Sequence, residues 1–273
     1  MFQSLAIQLF WWAFLGYSMA CLLHIGYLVL ENRKFSGAAT LMMCAAFLLQ
    51  TGAIIARSIQ FMRLPLTNMF EYITIFSWFA AIFHFIFLKI YRQQIIGAFI
   101  SPVIFMLMVS ASLLPKDVSM QLMPALQSYW LQIHVSLAAL GEAAFVVAFA
   151  SNIMYFIKIS LPEESGFGNR LPDLKKLDIV SYKAISMGYP LFTIGALFAG
   201  AIWAEQAWGR FWGWDPKEVG SLVVWFIYSA YLHARYTRKW SGFRAAVLSS
   251  IGFICTLLTF FANLILGGLH SYY

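Results

Sequence analysis

The chain has 273 residues, 62% of them apolar and only 11% charged, with a mean hydropathy of +0.76. Such a composition excludes a protein built around a sizeable soluble domain. Apolar runs of roughly 20 residues recur instead, the length that crosses a bilayer core of about 30 Å as helix. The net charge of +7 follows from where Lys and Arg sit around those runs, so it gives no reason to expect nucleic acid as a partner.

The runs fall at 7–30, 38–61, 68–90, 95–114, 134–158, 183–203, 219–236 and 244–266. They predict an all-α polytopic membrane protein of about eight transmembrane helices, forming a single integral-membrane domain over 1–273; a spanning barrel would need alternating segments about half as long. The opening MFQSLAIQLFWW has no basic region and no small-residue cleavage site, so it reads as a retained first span. Thirteen of the eighteen Lys and Arg lie in alternate connections: Arg33, Lys34, Lys89, Arg92, Lys158, Arg170, Lys175, Lys176, Lys183, Arg235, Arg238, Lys239 and Arg244. Basic residues resist translocation, which predicts that both termini are extracytoplasmic. Cys21, Cys44 and Cys255 are dispersed within spans and form neither CxxC nor CxxCH, so a dithiol reductant and a covalent haem carrier are both unsupported.

Three connections stand out. Between spans four and five, a stretch at about 116–130 has apolar residues at near-helical spacing, Val118, Leu122, Ala125, Leu126 and Tyr129, and predicts an interfacial helix that Pro124 limits. Residues 159–182, ISLPEESGFGNRLPDLKKLDIVSY, mix both charge signs with Pro and Gly, as in a linker or a docking surface. Between spans six and seven, residues 203–218 read WAEQAWGRFWGWDPKE. Trp203, Trp208, Trp212 and Trp214 each suit a membrane-interface belt. Collected with Phe211 beside Gly209, Gly213 and Asp215, they also form an apolar surface about as broad as a porphyrin.

All five histidines lie within or at the edges of spans. His134 opens span five and His270 ends span eight, on the same expected side and at the same depth as the tryptophan loop. Two imidazoles facing across a gap supply both axial positions of a haem iron. His24, His84 and His233 fall in the other halves of spans one, three and seven. No spacing demands a metal site there, and His24 and His84 read as hydrogen-bonded core histidines. Glu142, eight residues past His134, orients a ligand, pairs with a hydroxyl or is protonated. Arg57, Arg63, Arg210 and Lys217 suit haem propionates or simple snorkelling.

WGRFWGWDPKE followed by VVWFIYSAYLHAR, with LTNMFEYITIFSW upstream, WLQIHVSLA before span five and NLILGGLHSYY at the end, closely resembles the CcsA/ResC haem-handling proteins of cytochrome c maturation, over nearly the whole chain. The tryptophan motif is shared with the CcmC and CcmF haem proteins. WDPKE, the LH ending of span seven and the span count favour the CcsA/ResC branch. The resemblance implies haem b as cofactor, with His134 and His270 ligating it on the outer face and the motif from Trp208 to Asp215 holding the porphyrin. It makes His233 a ligand of an inner haem whose other histidine comes from a CcsB/ResB-type subunit, expected here to be separate.

The same resemblance implies haem-lyase chemistry, the joining of apocytochrome c CxxCH thiols to the haem vinyl groups, with thiol-reducing factors as further partners and a bacterial cytoplasmic or thylakoid membrane as location. No Cys, Ser or Lys stands in a nucleophilic dyad, so proximity is the expected catalytic contribution. The competing readings are a haem donor that passes haem to a chaperone without ligation, a permease or scaffold with a tryptophan belt, and a b-type redox cytochrome.

Overall fold

The computed structural model describes residues 2–116, 124–162 and 164–266, with side chains described for 5–116, 124–162, 164–260 and 266. Every regular element among them is helical: α1 Phe2–Leu30, α2 Arg33–Phe61, α3 Met69–Tyr91, α4 Gly97–Ser112, α5 Tyr129–Ser160, α6 Gly166–Arg170, α7 Leu174–Phe192, α8 Gly200–Trp208, α9 Pro216–Thr237 and α10 Phe243–Leu266. A π-helical stretch, Thr193–Ala199, joins α7 to α8 without a break. Among the described residues seven helical stretches are long and apolar enough to cross a membrane, Leu174–Trp208 counting as one. The chain is thus an all-α polytopic membrane protein. The run at 219–236 is helical within α9, but Trp225, Tyr228, Tyr231, His233 and Arg235 dilute its apolarity, so it is not among the seven.

The helices group into two compact units, Met1–Gln121 and Leu122–Tyr273. In the first, α1 and α2 pack closely along each other, and Gly16 is required because a Cβ there would stand 2.8 Å from the Ala46 Cβ. Buried Gln50 of α2 links the helices through hydrogen bonds: it accepts from the Tyr17 hydroxyl on α1 at 2.7 Å and donates to the Thr74 carbonyl and Ser77 hydroxyl on α3 at 2.9 and 2.8 Å. A buried amide in lipid is tolerated only when satisfied in this way.

At one end of this unit, Glu71 accepts from Arg57 at 2.7 Å, from Arg63 at 3.0 Å and from the Thr67 amide at 2.9 Å. The two arginines are therefore held by a carboxylate of their own unit, and the expectation of snorkelling or propionate-binding cations gives way to a triad in which Arg57 and Glu71 are buried and Arg63 half-buried. The expectation of hydrogen-bonded core histidines is also corrected. His24 and His84 are buried with ring centroids 5.7 Å apart, and none of their four nitrogens has a hydrogen-bond partner.

In the second unit α5 is the central helix. It meets α7 through Gly141 and Gly188: a Cβ on the first would lie 2.8 Å from the Gly188 carbonyl oxygen, and one on the second 2.6 Å from the Gly141 carbonyl oxygen. Small residues let helix backbones approach where lipid supplies no hydrophobic drive. Asn152 ties α5 to α10 through Ser249 and Ser250, and Arg235 ties α9 to Asp178 of α7 at 2.8 Å. Within 159–182 the chain forms α6, capped by Ser165, and begins α7 at Leu174, so part of the expected linker is ordered helix.

Candidate functional site

The first candidate residue, His134, lies in the second turn of α5 and is half-buried. Its Nδ1 is 2.9 Å from the Gly195 carbonyl oxygen in the π-helical stretch. A carbonyl can only accept, so Nδ1 carries the proton; in the neutral ring this leaves the lone pair on Nε2, the tautomer in which imidazole binds a metal. The π-helix is what makes the approach: a Cβ on Gly195 would run into the backbone of Ala138, and one on Gly200 would stand 2.9 Å from His134 Nδ1. Single π-helical turns inside α-helices concentrate at such positions.

Trp203 completes the support of this ring. Its indole is 1% exposed, stacks on His134 at 5.8 Å and 9°, and donates from Nε1 to the Ala125 carbonyl at 2.8 Å. Trp208 meets Trp203 edge-on at 4.9 Å. Both indoles stand on α8, whose Ala, Glu and Gln residues favour helix, so the loop is shorter than the aromatic spacing suggests. Gly209 ends the helix at φ +72°.

The loop proper presents its aromatics outward. Phe211 is 61% and Trp214 73% exposed, while Trp212 is half-buried and packs edge-on against Trp214 at 5.9 Å. Trp214 adopts φ +58°, a left-handed conformation uncommon for a bulky side chain. The strain is held from below by a capping box. Buried Asp215 accepts from the Lys217 amide at 3.1 Å, and Glu218 Oε2 accepts from the Gly213 and Asp215 amides at 2.8 and 3.2 Å, with Pro216 at the first helical position. Asp215 thus serves α9 as its N-cap. Glu218→Ala is expected to free both amides, cost about 1 kcal/mol and speed tryptic cleavage after exposed Arg210 several-fold; an unchanged cleavage rate would show that the loop is held by something else.

Deeper on α5, buried Glu142 lies close enough to Lys217 for their charges to interact. Desolvation draws the Lys217 ammonium below the usual lysine range, and the Glu142 and Asp215 carboxylates oppose that shift. His233 is exposed on the last turns of α9, about 25 Å along the axis from Pro216 at 1.5 Å per residue. The loop and His233 therefore occupy opposite ends of one helix.

His270 lies outside the described residues, as do 117–123 of the expected interfacial helix, whose remainder is a 3-10 turn at Pro124–Gln127 followed by α5 from Tyr129. Three contributors went unread in the sequence: the Gly195 carbonyl, the Ala125 carbonyl and Glu218. The signals available for them were the Pro190, Gly195 and Gly200 spacing in span six and the Asp-x-x-Glu of a capping box.

The family model described as Cytochrome C assembly protein matches residues 66–270. Among curated relatives, the cytochrome c biogenesis protein CcsA of Guillardia theta is 37% identical over 232 residues, covering 76% of each chain. The protein of the same name from Gloeobacter violaceus is 34% identical over 284 residues, covering 83% of each. A solved structure of the cytochrome c haem lyase CcmF superposes with a TM-score of 0.74 at 15% identity, covering 96% of this chain but 47% of that one. The chain spans about half the length of that structure, and at this identity the likeness is one of fold. Matched over most of its length by the family model and by relatives of one kind, the chain belongs to the cytochrome c assembly protein family as a CcsA-type protein of cytochrome c biogenesis.

Proposed function

We propose that the chain takes haem b as substrate at the His134 end of its second unit and offers the vinyl edge to the CxxCH segment of an apocytochrome c. The observation that carries this reading is the support of His134: a carbonyl at Nδ1 sets the metal-binding tautomer, and a buried indole fixes the ring plane. Preorganised ligands of this kind hold a metal in one pose. Beside them, the outward faces of Phe211, Trp212 and Trp214, with Trp208, are suited to a flat macrocycle, and Trp203 acts by positioning the histidine. Gly209 and Gly213 let the loop turn, and Asp215 anchors it.

In this reading His270 would supply the second imidazole to the haem iron and the site faces the extracytoplasmic side. Each substrate cysteine adds across one vinyl group: a C–S bond forms, the thiol proton goes to the neighbouring carbon, and no net oxidation occurs. The chain contributes proximity, holding the acceptor in register for thiols that the peptide brings. His233, at the other end of α9, serves an inner haem with a histidine from a CcsB/ResB-type subunit, in a bacterial cytoplasmic or thylakoid membrane.

Reduced-minus-oxidised spectra of the purified complex test the outer site. His134→Ala and His270→Ala are each expected to disturb the bis-histidine bands and to lower cytochrome c assembly by more than the ~10–100-fold typical of losing a group that merely supports a ligand. A double variant with the wild-type spectrum refutes the assignment.

A further inference from the structure

The first unit carries a pair of groups that the proposed haem chemistry does not use. His24 of α1 is 1% exposed and His84 of α3 is fully buried, and their rings meet edge to face at 5.7 Å and 74°. All four ring nitrogens are buried without a hydrogen-bond partner. The Ala20 carbonyl, one turn back on α1, faces His24 without reaching hydrogen-bond geometry. Buried polar groups left unmet are costly, more so where no water competes, and two that face one another point to something that satisfies both. Gly97 of α4 makes the room: a Cβ there would run into the His24 imidazole.

The surroundings limit what fits. A macrocycle needs an open slot between the rings, and here α4 is packed onto His24. A tetrahedral divalent ion needs about four donors, and among the described residues no three His, Cys, Asp or Glu side chains gather to hold a metal. A doubly charged ion with two neutral ligands would also be poorly compensated in an apolar bundle. A monovalent d10 cation that accepts two neutral nitrogen donors in near-linear array meets each condition. Metal–nitrogen bonds of roughly 2 Å place the two nitrogens about 4 Å apart, within reach of ring rotation for centroids at 5.7 Å. Imidazole is a normal copper ligand. We propose that His24 and His84 form a two-coordinate Cu(I) site inside the first unit, separate from the haem-handling residues.

Anaerobic titration of the purified full chain with Cu(I) against a chromophoric Cu(I) chelator tests this. About one equivalent is expected to resist the chelator, to be lost in His24→Leu and in His84→Leu, and to persist in His134→Ala. X-ray absorption on the copper-loaded unmodified chain needs no variant and is expected to show two nitrogen neighbours at roughly 2 Å and no sulfur. Failure to retain copper, sulfur ligation, or retention in the double histidine variant overturns the site. None of these outcomes bears on whether haem binds at His134.

Discussion

Gly195→Val is expected to remove haem binding at His134 and to destabilise the second unit together, although Gly195 carries no side chain and no charge. Its α-carbon lies so close to α5 that a Cβ would collide with the Ala138 amide nitrogen and stand 2.6 Å from the Leu137 Cβ. The Ala138 nitrogen is helix backbone, which cannot rotate away, so α5 and the π-helical stretch must part. Overpacking costs up to about 3 kcal/mol. The displacement also withdraws the Gly195 carbonyl from His134 Nδ1, now 2.9 Å away, and with it the contact that selects the tautomer. Gly166→Ala is the control, since a Cβ on Gly166 meets nothing within 4 Å. Thermal unfolding in detergent, followed with the visible spectrum, should show a lowered midpoint and lost bands for Gly195→Val alone. A variant with both at wild-type values would mean that the π-helical contact has no part in holding the histidine.

Membrane residence and the helices were legible because lipid imposes length and apolarity on any span. The tryptophan loop was legible for the opposite reason: indoles beside Asp-Pro-Lys-Glu violate that pattern. The support beneath was not. Gly195 acts through its carbonyl, which every residue possesses, and a π-helical turn has no composition of its own. Trp203 and Trp214 look alike in the sequence, yet one is buried on α8 against His134 and the other is 73% exposed at the loop tip. Only the fold separates the indole that positions from the indole available to a ligand. Arg57 and Arg63 were misread because Glu71, the one carboxylate that both share, opens the next helix, where an acid is ordinary. His24 and His84 lie sixty residues apart, with nothing in either flank to announce the other.

Glu71→Ala is expected to cost about 3–5 kcal/mol, the scale of leaving a buried charge without its partner, enough to keep much of the protein from accumulating in the membrane. The carboxylate side chain is fully buried, and the side chains of Arg57 and Arg63 are 6% and 11% exposed. Two cations already share one anion, so removing it leaves both uncompensated in a setting where water cannot replace it. Arg57 would keep its 2.9 Å bond to the Lys116 carbonyl and its place over the Phe61 and Phe70 rings. Those contacts hold a guanidinium in position without cancelling its charge. Glu71→Gln retains the shape and an acceptor for the Thr67 amide, so its loss should be smaller. Adding Arg57→Leu to Glu71→Ala should recover part of the stability, because the more deeply buried of the two stranded cations is then replaced by an apolar group and only Arg63 stays uncompensated. Melting midpoints of the four proteins decide it: a single Glu71→Ala variant that melts like the unmodified chain, or a double variant less stable than the single, would mean that the cost lies in packing and not in charge.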